Sequence, residues 1–351
     1  MTRLSLRLRV LRGIDAIASQ MPAAFLRQPR NEAGVALSPF LQCLRYLRRL
    51  TAPRGANADS VQALREQFLQ DMKALRIGFP VRAVEILTLP GAAGPLQAHC
   101  YQPAVTNALP VLLVYFHGGG FVMGDLDTHD DACRLLCQES SMPVLAVDYR
   151  LAPEHSFPAA VEDAEAAVRW ALANSKRFGV QAIAVGGDSA GANLAAVTAQ
   201  SLAKAEPSLL AQLLIYPSTD RATARPSHQR FGRGYFLDHA DRELFYRSYL
   251  AGQPLETDPR VSPLLNRDPG VLAPAVLVTA GFDMLCDEGE AYADHLRRSG
   301  SKVELMRFEP LGHGFINLAG VHAESKLALF QIAAQWRQHC RQQLTHTGEQ
   351  P

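Results

Sequence analysis

The stretch Ala182-Ile183-Ala184-Val185-Gly186-Gly187-Asp188-Ser189-Ala190-Gly191-Ala192-Asn193-Leu194-Ala195 decides how this chain is read. A short apolar run, Ala182 to Val185, has the pattern of a buried strand, and a helix-forming run begins at Ala192. Between them stands a serine with glycine two residues to either side. A serine on a sharp strand-to-helix turn needs small neighbours, because its backbone is strained and adjoining segments come close. Such a turn lifts the hydroxyl above a sheet. The helix start also points amides, notably that of Ala190, toward negative charge developing on a substrate oxygen. The five-residue pattern alone equally fits an ordinary glycine-rich turn; the flanking strand and helix favour the nucleophile.

Working outward, short apolar runs alternate with helix-length segments. Strands are predicted at Val111 to Phe116, Pro143 to Val147, Ala182 to Val185, Leu213 to Tyr216, Ala275 to Thr279 and Val303 to Phe308. Val81 to Leu89 and Leu96 to Tyr101 add a hairpin closed by the turn-forming Gly91 to Pro95. Helices are predicted at Asp130 to Glu139, Ala159 to Phe178, Ala190 to Ala203, Asp287 to Ser299 and His322 to Arg341. Runs apolar on both faces, separated by helices, imply a mostly parallel eight-stranded sheet flanked by helices. Residues 217–273 break the rhythm: no strand is evident there, while Asp238 to Leu250 reads as helix. Residues 1–80 also read as helical, with segments at Leu41 to Leu50 and from Asp59, whose side chain can cap while Gln62 reaches back. These two regions are expected to form a cap over a catalytic domain spanning 81–351.

The chemistry follows from what a serine hydroxyl requires. It is a poor nucleophile at neutral pH, so it needs a base, and the base needs an acid to fix its tautomer. His313 lies in Leu311-Gly312-His313-Gly314-Phe315, just after the last strand, where small neighbours leave its imidazole free to face the serine. Asp283 follows the preceding strand in Gly281-Phe282-Asp283, and Asp287 stands as the rival acid. His313 and Asp283 both fall at carboxyl ends of adjacent strands, where sites on parallel sheets form. His117-Gly118-Gly119-Gly120 directly follows the strand Val111 to Phe116. Three successive glycines there imply close approach of backbone to a ligand, so the amides of Gly118, Gly119 and Ala190 are expected to form an oxyanion hole. Phe121 and Asp188, beside these motifs, are expected to contact substrate.

Composition sets limits. Apolar residues make up 48% and charged residues 20% of 351 residues, with net charge +1. This is ordinary for a globular protein and argues against disorder or a membrane-embedded body. Residues 1–80 carry 13 Lys/Arg against 5 Asp/Glu, a solvated Arg-rich face more than a nucleic-acid surface. Arg3, Arg7, Arg9 and Arg12 could open a signal peptide, but Leu4, Leu8, Leu11, Ile14 and Ala18 repeat at helical spacing and no continuous apolar region follows. No stretch approaches the roughly 18 uncharged apolar residues of a membrane span. Six scattered cysteines suit reduced thiols in the cytoplasm. The glycine run lacks the lysine and hydroxyl of a phosphate loop, so no nucleotide or metal cofactor is implied.

Three motifs, taken together, resemble the hormone-sensitive-lipase-like bacterial esterases of family IV, within the α/β-hydrolases. They are His117-Gly118-Gly119-Gly120-Phe121, the stretch Asp148-Tyr149-Arg150-Leu151-Ala152-Pro153-Glu154-His155-Ser156-Phe157-Pro158-Ala159-Ala160, and Gly187-Asp188-Ser189-Ala190-Gly191. The likeness covers most of residues 80–345. It implies the α/β-hydrolase fold, cofactor-free hydrolysis of small carboxylic esters with short or medium acyl chains, and catalytic roles for Ser189, Asp283 and His313. A homodimer is left as an open option. The chain departs from the family at Met284 and Cys286, where Pro and Arg are common, so Cys286 is expected near the site and open to thiol reagents. Two other readings compete: a ligand-binding receptor of the same fold, like the plant gibberellin receptors that lack a working triad histidine, and an amidase or peptidase using the same triad. His313 speaks against the first, and the easier chemistry of esters against the second.

Overall fold

The computed structural model describes residues 6–18, 20, 29–51, 61–105, 107–203 and 208–348. Three helices open it: α1 (Leu6–Ala18), α2 (Pro39–Thr51) and α3 (Val61–Leu75). The sheet strands are β1 (Ala83–Pro90), β2 (Pro95–Gln102), β3 (Val111–Phe116), β4 (Val144–Val147), β5 (Ala182–Asp188), β6 (Gln212–Ile215), β7 (Ala275–Phe282) and β8 (Val303–Gly312). Helices α4 (Asp130–Ser140), α5 (Ala159–Ala173), α6 (Ala190–Ser201), α7 (Pro226–Phe231), α8 (His239–Leu250), α9 (Cys286–Arg298) and α10 (Ala323–Gly348) complete the order.

The eight strands form one sheet in the order β1-β2-β4-β3-β5-β6-β7-β8. The β1/β2 hairpin is antiparallel and joins β4 antiparallel; every pairing from β4 to β8 is parallel. This is the α/β-hydrolase fold, as the strand pattern predicts. Strands β3, β4, β6 and β7 are buried along their whole length, which explains why their residues are apolar on both faces. Alternate residues of β3 feed two separate cores. Leu112, Val114 and Phe116 meet Ala164 and Val168 of α5, Leu194 of α6 and Leu296 of α9. Val111, Leu113 and Tyr115 meet Leu136 of α4 and Ile332 and Trp336 of α10.

Strands β5, β7 and β8 run three or four residues further than their apolar runs suggest. The extra residues are mainly glycines and polar side chains at the sheet's carboxyl edge, kept extended by a parallel neighbour: Phe116 pairs with Gly187, and Phe282 with Gly312. The predicted helix at Ala159 to Phe178 breaks at Asn174, whose amide donates to the Trp170 carbonyl at 2.8 Å and leaves a 3-10 turn at Ser175–Phe178. Residues 217–273 hold no strand; besides α8 they contain α7, which its short, polar sequence concealed. Leu4 and Asp59, read as part of a helical stripe and as a cap, lie outside the described residues. Among the described residues, no helix is long and apolar enough to cross a membrane.

Candidate active site

Ser189 sits between β5 and α6 with φ 53° and ψ −116°. A non-glycine residue survives in such a conformation only where its surroundings dictate it. Here they do. The Ser189 N–H donates to the Ile215 carbonyl at 2.9 Å, and the Ser189 carbonyl accepts from Asn193 at 3.0 Å in the first turn of α6. The flanking glycines have a steric cause: a Cβ on Gly187 or Gly191 would fall far inside contact distance of the Phe116 carbonyl oxygen. The end of β3 thus presses directly on the turn.

His313 lies beyond β8 and faces this serine. Its Nε2 is 2.9 Å from Ser189 Oγ, and its Nδ1 is 2.7 Å from Asp283 Oδ2. Asp283 is almost fully buried, and its second oxygen accepts the Leu285 N–H at 2.9 Å. A buried carboxylate that accepts at Nδ1 fixes the tautomer that leaves Nε2 free to accept the serine proton. Burial pushes the His313 pKa down, but the charge and hydrogen bond of Asp283, with Asp188 and Glu288 behind them, outweigh it and hold it above the ordinary 6.5. The rival Asp287 points elsewhere, accepting the Ser227 N–H at 2.8 Å from the start of α7.

The glycine loop corrects three expectations. Gly118 does not offer its amide to the site: that N–H donates to Asp188 Oδ1 at 2.9 Å. Asp188 is not exposed to substrate either, being 3% exposed and also bound by the Tyr115 hydroxyl at 2.7 Å. Burial works against its ionised form, but the interaction with His129 and the hydrogen bonds from Tyr115 and Gly118 hold its pKa below the ordinary value. Phe121, in turn, is packed away, stacked on Tyr249 of α8 at 3.9 Å. The amides of Gly119, Gly120 and Ala190 find no partner among the described residues. Gly120 holds φ +63°, and a Cβ there would enter the Phe245 ring. His117 supports the loop from beneath, stacked on Tyr149 at 4.5 Å and driven by burial to a pKa of about 4, so it is neutral.

A family model described as the alpha/beta hydrolase fold matches residues 113–317, from β3 to just past His313. The chain belongs to the α/β-hydrolase family. Among relatives of this α/β hydrolase, the carboxylic ester hydrolase LipN of Mycobacterium tuberculosis is 42% identical over 87% of this chain and 84% of its own. The ethyl acetate hydrolase of Pseudomonas putida is 41% identical over 68% and 75%. Among solved structures, the hyperthermophilic esterase of Pyrobaculum calidifontis superposes with a TM-score of 0.78 at 38% identity, covering 87% of this chain and 99% of that one. The hormone-sensitive-lipase-like resemblance read from the three motifs holds.

This hydrolase departs from expectation at Cys286. The residue lies next to the site, as its sequence position implies, but it is 2% exposed, and burial, then the Glu290 charge, pushes its thiol pKa well up. A buried neutral thiol is inert, so thiol reagents have no route to it. Two residues that sequence reading passed over have clear parts. Fully buried Glu288 accepts the Thr219 N–H at 2.8 Å and faces His228 at 3.1 Å and Arg242 at 3.4 Å, tying the 217–273 segment to α9. Gly120 keeps an amide without a partner among the described residues, where the Gly118 amide is taken by Asp188. Its place in the same glycine run was the available signal.

Proposed function

We propose that this α/β hydrolase is a serine carboxylesterase. Ser189 Oγ attacks the ester carbonyl as His313 Nε2 takes its proton, and Asp283 stabilises the imidazolium that forms. The amides of Gly119, Gly120 and Ala190 receive the oxyanion, with Gly120 replacing Gly118 in the set, and α6 adds its positive end. His313 then protonates the departing alcohol. Water, deprotonated by the same imidazole, releases the acid from the acyl-Ser189 intermediate. The observation that carries this reading is the single imidazole at hydrogen-bond distance from both Ser189 and Asp283. The names of the relatives point to the same bond, since both act on carboxylic esters by name.

The same reading extends to architecture. The described parts of residues 1–80 and the 217–273 segment would form a cap: Arg65 of α3 reaches the carbonyls of Val122 and Ala152, each at 2.6 Å, and Phe245 of α8 covers Gly120. Six unpaired cysteines suit a reducing cytoplasm. The test is hydrolysis of p-nitrophenyl esters from acetate to palmitate by wild type, Ser189→Ala and His313→Ala. Turnover is expected to peak at short to medium chains and to vanish in both variants. Folded wild type that turns over none of these esters overturns the proposal.

A further inference from the structure

One residue outside the proposed triad touches both its base and the carboxylate that anchors the glycine loop. Tyr216 follows β6 with φ +36°, a left-handed conformation unusual for a bulky side chain and more so ahead of Pro217. Its backbone is fixed by an N–H bond to the Val278 carbonyl at 2.6 Å, and its side chain is 1% exposed. The ring centroid lies 4.7 Å from that of the His313 imidazole, and Phe315 braces it from another side at 5.4 Å. The hydroxyl donates to Asp188 Oδ2 at 3.5 Å and accepts the backbone N–H of Ile316. The other oxygen of Asp188 holds the Gly118 amide and hence the start of the oxyanion loop.

His313 itself is poorly walled by its own segment. Gly312 and Gly314 flank it, and neither has a side chain to bear on the imidazole. Asp283 and Ser189 hold its two ring nitrogens, but neither bond bears on the faces of the ring. Tyr216 supplies the missing wall, and its strained backbone is the kind that persists where a site over-determines it.

We infer that Tyr216 is a positioning residue of this active site: its ring seats the His313 imidazole, and its hydroxyl ties that seat to Asp188 and so to the oxyanion loop. The inference rests on the proposed roles of Ser189, His313 and Asp283. A base displaced by about 1 Å loses on the order of a hundredfold in rate without losing substrate binding. The experiment compares wild type, Tyr216→Leu and Tyr216→Phe on p-nitrophenyl butyrate, with active sites counted by complete reaction with diethyl p-nitrophenyl phosphate.

For Tyr216→Leu, kcat per titrated site is expected to fall about a hundredfold at unchanged KM. Tyr216→Phe keeps the ring and loses one hydrogen bond, so it is expected to recover most of this and remain about fivefold below wild type. A merely structural tyrosine would lower the number of titratable sites and leave kcat per site alone. Wild-type kcat per site in Tyr216→Leu, or in Tyr216→Phe if the leucine variant yields no folded protein, overturns the inference. Wild type that neither turns over the ester nor reacts with the phosphate is a different failure, that of the esterase reading itself.

Discussion

The turn at Ser189 and the helix α3 are both attached to the same sheet, but by different means. Around Ser189 the contacts are backbone on backbone: β3 presses against Gly187 and Gly191, and Ile215 holds the serine amide at 2.9 Å. Across α3 the contacts are long side chains. Arg65 spans the carbonyls of Val122 and Ala152 and pairs with the exposed Glu154 at 2.7 Å. Just past α3, Asp131 accepts the N–H groups of Ile77 at 2.7 Å and Gly78 at 2.8 Å. Backbone contact at van der Waals distance leaves no room for adjustment. Partly solvated ion pairs contribute about 0–1 kcal/mol and weaken with salt. The fold therefore makes the chemistry rigid and leaves its covering adjustable.

The comparison can be broken most sharply at the rigid end. Asp283→Asn is expected to lower kcat about 10⁴-fold by stabilising the wrong imidazole tautomer, whereas Asp287→Asn, whose side chain serves α7, is expected to keep near-wild-type turnover. The reverse ranking of the two variants in a steady-state assay would move the acid to Asp287. Next in size is pH. Only neutral His313 can accept the Ser189 proton, and Asp283 raises its pKa, so kcat/KM is expected to fall about tenfold per unit once pH drops below a midpoint above 6.5. A flat profile down to pH 4 would exclude an imidazole base.

At the adjustable end the effects shrink. Arg65→Met keeps the apolar stem and removes the clamp, and is expected to raise KM by about threefold with kcat unchanged, an effect of less than 1 kcal/mol. A fall in kcat instead would mean that α3 helps to hold the chemistry. Smallest of all is the response to iodoacetamide: with Cys286 buried and its thiol neutral, activity of native protein is expected to be unaffected. Inhibition that disappears in Cys286→Ser would show that the segment after β7 opens in solution.

The same contrast separates what the chain makes legible in its residue order from what it hides. The serine turn, the glycine run and the loop after β7 follow strands buried on both faces, which demands apolar runs, and the loop after β8 follows a half-buried edge strand, so order and spacing place Ser189, Asp283 and His313 on one edge of the sheet. Which amide of the glycine run faces the site is a matter of one backbone rotation, and Asp188 decides it by binding Gly118. Asp188 looks like a site residue from its position and proves to be a buried anchor, a distinction that depends on Tyr115 and His129 from distant parts of the chain. Tyr216 is illegible for the same reason. Nothing in a strand-ending Tyr-Pro announces a left-handed φ or a neighbour 97 residues further on.

The most direct test is to quench the reaction with p-nitrophenyl butyrate in acid within its first turnover and locate the acyl group by peptide mass spectrometry. A butyryl ester on the peptide carrying Ser189, absent in Ser189→Ala, is the predicted result. Turnover with no adduct on Ser189, or with the adduct on another residue, would contradict the account.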